Sequence, residues 1–320
     1  MAISNYIRSW ILLVPLFPSI MINIFALYHF VGSRALRTAL NNHVIIVLLF
    51  YTLIAQIICI AWQSHFLRTG TVLISTPAFC YAWIFTSGWL YVSIYYLMAW
   101  VSIERHILIF HSKYLTTKFK RLFFHYFPLM FCILWPLSFY SFVYIIIPCN
   151  GPFLYNVIFC ARFTCLSNLN GASLIENFVH QLGTTFITLI FNVTLFIRVV
   201  FYRQNAGRML EWRKYKKMAI QLFSLCGLYL GFQLPGMILN TAYTLGMPRN
   251  IASDVYYDSV FCALTVIQFM PMACAMSLPN LRMKCQRCVL FWRTPSVVGT
   301  QVRTQLRMKV VRIRTVVPIS

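Results

Sequence analysis

Apolar residues in this chain come in long runs, and the charged residues are gathered between them. Seven segments, 10–31, 42–63, 79–104, 122–147, 178–200, 218–241 and 255–277, each approach or exceed the ~20 mostly apolar residues that a helix needs to cross ~30 Å of hydrocarbon. None carries Lys, Arg, Asp or Glu in its middle third, as the cost of an intramembrane charge requires. The run from Trp10 to Val31 is long enough to span and lacks an Ala-x-Ala-like site, so it reads as a first membrane helix and not as a cleaved signal. The pattern predicts an all-α polytopic membrane protein, a seven-transmembrane helix bundle over 10–278 with a short N-terminus, 1–9, outside. After Pro279, apolar and basic residues alternate at helical spacing, which predicts a short amphipathic eighth helix over 279–292, lying on the inner leaflet. A basic cytoplasmic tail, 293–320, follows.

Composition supports this reading. Hydrophobic residues make up 60% of the 320 and charged residues only 10%, against roughly 25% charged in a soluble domain. The formal charge of +22 would elsewhere suggest nucleic acid, but here the cations sit in the connections and no nucleic-acid motif accompanies them. Of 27 Lys and Arg, 23 fall in three alternate loops and the tail, leaving Arg8, Arg68, Arg162 and Arg249 for the other side. Seven crossings put all the rich segments on one face, which the positive-inside rule makes cytosolic in a multi-pass plasma-membrane protein. The six basic residues from Arg293 to Arg314 should draw anionic membrane lipid, at about 1 kcal/mol each near the surface. Trp10, Trp62, Trp83 and Tyr256 fall near the outer ends of the runs, and Trp212 and Trp292 near the inner ends, as interfacial aromatics do.

Chemistry for turnover is missing from the pattern. The 11 cysteines form no zinc-type cluster and the seven histidines are dispersed, so neither a metal nor a cofactor is implied, nor an enzyme. A transporter would need facing polar groups at mid-bilayer, and the spans offer mainly Gln56, Asn192, Gln221, Gln233 and Gln268. A transporter, or a receptor-like protein that has lost coupling, are the rival readings. Pro235 and Pro271 fall inside spans, where the missing N–H loosens a helix and can act as a hinge. Gly227 and Gly231 read as close helix contacts. The sequon Asn192-Val193-Thr194 lies within a span and should be inert.

Particular spacings narrow the function. Glu104-Arg105-His106 closes the third run, and Cys80 precedes Arg105 by 25 residues. Asn23 lies in the first run, Trp135 in the fourth, Phe232-Gln233-Leu234-Pro235 in the sixth, and Met270-Pro271 with Cys274 in the seventh. Taken together, these positions resemble the rhodopsin-like (class A) G protein-coupled receptors, with the pattern nearest to divergent invertebrate orphan receptors of the peptide-receptor type. The resemblance implies a receptor that binds an extracellular ligand, a peptide being the candidate class, and signals to a heterotrimeric G protein. It implies that Glu104, Arg105 and His106 form the G-protein switch, with Arg105 paired to Glu104 at rest. It also implies a disulfide from Cys80 to the loop after the fourth helix, where Cys149, Cys160 and Cys165 stand; Cys160 and Cys165 are favoured over Cys149, which lies close to the fourth helix.

The same comparison identifies departures. Gln233, Met270 and Cys274 replace the family's tryptophan, asparagine and tyrosine, the second helix lacks an aspartate near Thr52, and Ile94 stands where a hydroxyl is expected. A sodium-regulated receptor is therefore not implied. Ser87 replaces the aspartate that binds amine ligands and Leu264 the lysine that binds retinal. The outer-side acids, Glu176, Asp254 and Asp258, together with Ser87 and Gln233, are the candidate ligand mouth, where a cationic peptide would find counter-charges. Cys285 and Cys288 follow the last span at a position suited to lipidation.

Overall fold

The structure, a computed structural model, describes residues 4–111, 116–147, 153–161, 170–206, 227, 229–248, 250–276 and 278. The chain divides into two compact units, 1–277 and 278–320. All of the second beyond Leu278, including the predicted eighth helix, the tail, Cys285 and Cys288, lies outside the described residues.

Among the described residues the protein is helical throughout, with no strand. Six helices are long and apolar enough to cross a membrane: α1 (Asn5–Gly32), α2 (Leu40–Thr69), α3 (Pro77–Phe110), α4 (Lys118–Ile146), α5 (Gly171–Arg198) and α7 (Ser253–Ala275). Each contains most or all of the run predicted for it. The sixth run is described mainly in its second half, as a π turn (Tyr229–Gln233) leading into α6 (Leu234–Thr244). The rest of that run lies outside the described residues, apart from Gly227.

Local chemistry sets the helix ends. Thr76 caps α3, its hydroxyl accepting from the Phe79 amide at 3.4 Å, and Pro77 opens the first turn, where its missing N–H costs nothing. Gly70 ends α2 at φ 73°, a left-handed conformation that glycine adopts freely. Thr117 caps α4 in the same way as Thr76 caps α3.

Helix α3 is central, packing on α2, α4 and α5, while α1 packs on α2 and α7, and α6 on α5 and α7. The exterior is apolar: Phe17, Tyr28, Phe50, Phe123 and Ile190 are all more than half exposed. Asn23, Thr52, Gln56, Ser93, His125 and His180, by contrast, are wholly buried. Polar groups inside and large apolar groups outside reverse the arrangement that water imposes and fit a hydrocarbon surrounding.

At one end, a disulfide joins Cys80 in the first turn of α3 to Cys160, with Cα atoms 5.8 Å apart. This is one of the two favoured pairings; Cys165 and Cys149 lie outside the described residues. Trp83 departs from its expected interfacial place. It is 1% exposed, packed with Val72 and the two bonded cysteines under Phe66, Phe79 and Phe159.

The close helix contacts also fall elsewhere than expected. A Cβ at Gly227 or Gly231 would meet nothing within 4 Å, whereas at Gly88 it would lie 2.4 Å from the Tyr140 ring, and at Gly236 3.1 Å from Ser259 Cβ. Gly88 therefore sets the approach of α3 to α4. The ring it faces cannot easily yield, being buried and stacked on Tyr144 at an interplanar angle of 7°. Gly88→Ala should lower the thermal midpoint of the purified protein, at a cost of ~1–3 kcal/mol. In a Tyr140→Leu background the same substitution should cost much less; an undiminished cost there would place the clash elsewhere.

Candidate functional site

Among the described residues, polar assemblies stand along the interior, at the two ends of the bundle and between them. The first surrounds the end of α3 opposite the disulfide. Glu104, Arg105 and His106 are all buried there. The Glu104 carboxylate is hydrogen-bonded to Nδ1 of His125 on α4. His125 Nε2 lies 3.1 Å from Nδ1 of His43 on α2, and His43 Nε2 lies 2.9 Å from the Arg37 carbonyl in the turn between α1 and α2. Three helices and a turn thus meet through one row of side chains. His106 is engaged from α5: Arg198 Nη1 donates to His106 Nε2 at 3.1 Å, and its guanidinium sits 5.3 Å from the Phe110 ring centre. A guanidinium can only donate, so the His106 ring holds its own proton on Nδ1.

The middle assembly exists because of Pro271. Proline has no N–H, so the carbonyl four residues earlier, that of Ile267, loses its helical donor. Gln56 replaces it, Nε2 donating to the Ile267 carbonyl at 3.1 Å and to Ser19 Oγ at 2.8 Å. Ser19 donates to the Gln268 carbonyl, Gln268 Nε2 donates to the Leu12 carbonyl at 2.7 Å, and Asn23 Nδ2 donates to Gln56 Oε1 at 3.3 Å. Gln56 lies in a π turn of α2, Gln56–Ile60, a distortion that commonly re-aims a side chain. The predicted loosening at Pro271 is thus bridged from α1 and α2.

The third assembly surrounds Glu176, one of the candidate mouth residues. Glu176 is not open: it is 5% exposed, between α4 and α5. Its carboxylate accepts from Tyr140 Oη at 2.8 Å, His180 Nδ1 at 3.0 Å and Gln181 Nε2 at 3.0 Å. Trp135 fixes the imidazole, because its indole N–H donates to His180 Nε2 at 3.0 Å. That nitrogen must be unprotonated, so Nδ1 carries the hydrogen that Glu176 receives. Asp258 is paired with Arg8 of α1, whose guanidinium also lies 5.9 Å from the Phe261 ring centre. Asp254 is exposed in the first turn of α7, where a carboxylate favours the helix dipole. Ser87 and Gln233 are both buried, Ser87 near Cys59 and Gln233 near Tyr95 of α3. The mouth residues are therefore scattered across several helix interfaces.

Neighbouring α6 is held by a separate polar cluster. Asn177 donates to Thr244 Oγ1 at 2.5 Å and accepts from Asn240, and Tyr256 donates to Asn240 at 3.4 Å.

No protein-family model matches the chain, and no curated protein is significantly similar to it. Among the described residues no three His, Cys, Asp or Glu side chains are grouped to hold a metal ion.

Sequence reasoning missed His125, His180, Tyr140 and Arg8 as partners of the acids, and His43 as the partner of His125. A buried carboxylate implies donors, but with partners up to 250 residues away the helix rotations are needed to name them. Replacing Glu176 by Gln would keep one acceptor oxygen but set an amide N–H₂ in place of the other, and would remove the charge that strengthens all three bonds. Glu176→Gln is expected to destabilise the detergent-solubilised protein by ~1–3 kcal/mol, read as a lower thermal midpoint. An unchanged midpoint would show that the three donors do not need the carboxylate.

Proposed function

We propose that this chain is a ligand-activated seven-helix receptor of the rhodopsin-like G protein-coupled type, lying in the plasma membrane with its C-terminal side in the cytosol. The observation that carries the reading is α3 itself. This one continuous helix bears the bonded Cys80 near one end and the buried Glu104-Arg105-His106 near the other. Cys80 and Arg105 are 25 residues apart, a rise of ~38 Å, enough to join the two faces of a membrane. The exterior of six apolar helices supports the membrane setting.

In this mechanism an extracellular ligand favours a conformation in which α6 swings outward from Pro235. Arg105 and the basic segment 198–217 are then presented to a heterotrimeric G protein. The internal pairing of Asp258 and the satisfied shell of Glu176 narrow the ligand chemistry. Among the described outer acids a strongly cationic peptide would find Glu176 buried and Asp258 already paired with Arg8, which leaves Asp254 exposed for it. Recognition then rests more on hydrogen bonds and aromatic contacts than on charge. The chain performs no turnover in this reading.

The test is G-protein activation in cells, screened against a broad peptide and small-molecule library. A ligand that activates the native chain should fail with Arg105→Ala, while the variant still reaches the surface. An unaltered dose response in Arg105→Ala would remove the switch. A chain at the surface that activates no G protein with any ligand would favour the uncoupled receptor-like reading instead.

A further inference from the structure

The first turn of α4 gathers positive charge that no described acid balances. Lys118, Lys120 and Arg121 are all exposed there. Arg34 and Arg37, also exposed, stand in the α1–α2 turn. That turn is tied to α4 through His43, whose Nε2 lies 2.9 Å from the Arg37 carbonyl and whose Nδ1 lies 3.1 Å from His125 Nε2. Among the described residues Glu104 is the one acid at this end of the bundle, and it is buried against His125. Exposed cations without an exposed acid repel one another, so this corner is stabilised by an anion from outside the chain.

An exposed apolar face runs down the same helix. Phe119, Phe123, Phe127 and Phe131 recur at every fourth residue, Phe119 being 77% and Phe127 62% exposed. The Phe123 and Phe127 rings lie 6.0 Å apart with their planes 5° from parallel, and Phe131 continues onto Trp135 at 5.9 Å and 13°. Trp135 is held in turn by its bond to His180, which fixes the far end of the row. A second exposed row, begun by Leu122 and Tyr126 and continued by Met130 and Leu134, runs beside the first. Two rows at this spacing leave a groove between them. From Phe119 to Phe131 the helix rises ~18 Å, about the depth of one leaflet of a ~30 Å hydrocarbon core.

We infer that this corner of α4 is a docking site for an anionic phospholipid, its headgroup on Lys118, Lys120 and Arg121 and an acyl chain in the groove below. A soluble phosphate would meet the cations and leave the groove unused. A zwitterionic lipid would fill the groove and leave the cations unbalanced. A lipid with an anionic head satisfies both. One negative charge would leave most of the corner unneutralised, so the ligand class is a polyphosphoinositide, whose several phosphates can accept from several of these donors at once. The proposal rests on the membrane setting of α4 and not on the receptor reading.

The test uses the full chain in phosphatidylcholine nanodiscs doped with a phosphatidylinositol bisphosphate that carries a photoactivatable acyl chain, with adducts located by mass spectrometry. Adducts should concentrate on residues 119–131. Unlabelled phosphatidylinositol bisphosphate should compete them away, and free inositol trisphosphate should not. Replacing Lys118, Lys120 and Arg121 together by Gln should raise the lipid concentration needed to label that segment by ~100-fold, about fivefold for each cation lost near a membrane surface. Arg303→Gln with Arg307→Gln in the tail should leave it unchanged. Equal labelling of 119–131 by a photoactivatable phosphatidylcholine would reduce the face to ordinary bilayer contact and overturn the proposal. Displacement by inositol trisphosphate, or labelling that survives the triple substitution, would overturn it too. The comparison of the two lipids uses the native chain alone, so it decides the matter even where the triple variant fails to fold. These readouts need neither an agonist nor a G protein, so they stand or fall separately from the receptor reading.

Discussion

A hydrocarbon slab offers no water to an unpaired polar group, and the described structure follows from that constraint. Every backbone amide crossing it must find a partner inside the chain, which favours helices and penalises any gap in their bonding. Pro271 makes such a gap, and Gln56 is drawn from another helix to the Ile267 carbonyl it exposes. Glu176 shows the same pressure on a side chain: buried, it collects three donors from α4 and α5 and orients a histidine through Trp135. Large apolar residues need no such care and cover the outside.

This constraint explains why the sequence is easy to read on one scale and opaque on another. Lengths of apolar runs and positions of charges are local, so the six described spans could be placed from composition along the chain. The Cys80 bridge was reachable to within a choice between Cys160 and Cys165. Pairing between helices is a different matter. Glu104 meets His125, Arg8 meets Asp258, and Gly88 rather than Gly227 or Gly231 admits a neighbouring helix. Each depends on how helices are rotated about their axes. Nearly uniform hydrophobicity hides that rotation, because a span with lipid on one side and protein on the other is apolar on both.

Glu176 illustrates the consequence for function. As one of three acids on the outer side it suggested a counter-charge for a ligand; in place it is buried and bonded to Tyr140, His180 and Gln181. His43 and His125 went the other way, dispersed and unremarked along the sequence but joined to Glu104 in the fold. The end of α3 that the proposed switch occupies is thereby tied to α2, α4 and α5 at once, through His125, His43 and Arg198. The opposite end is anchored by the cystine. A rod fixed at both ends, with α6 attached through Asn177, Asn240 and Thr244, provides a frame against which α6 could move.

Sidedness tests the account at its root. The proposed seven crossings would put the two termini on opposite faces, and the basic loops predict a cytosolic C-terminal face. With epitope tags at both ends of the chain in intact cells, antibody should reach the tag before Met1 without permeabilisation, and the tag after Ser320 only once the membrane is opened. Finding both tags on the same side would contradict seven crossings.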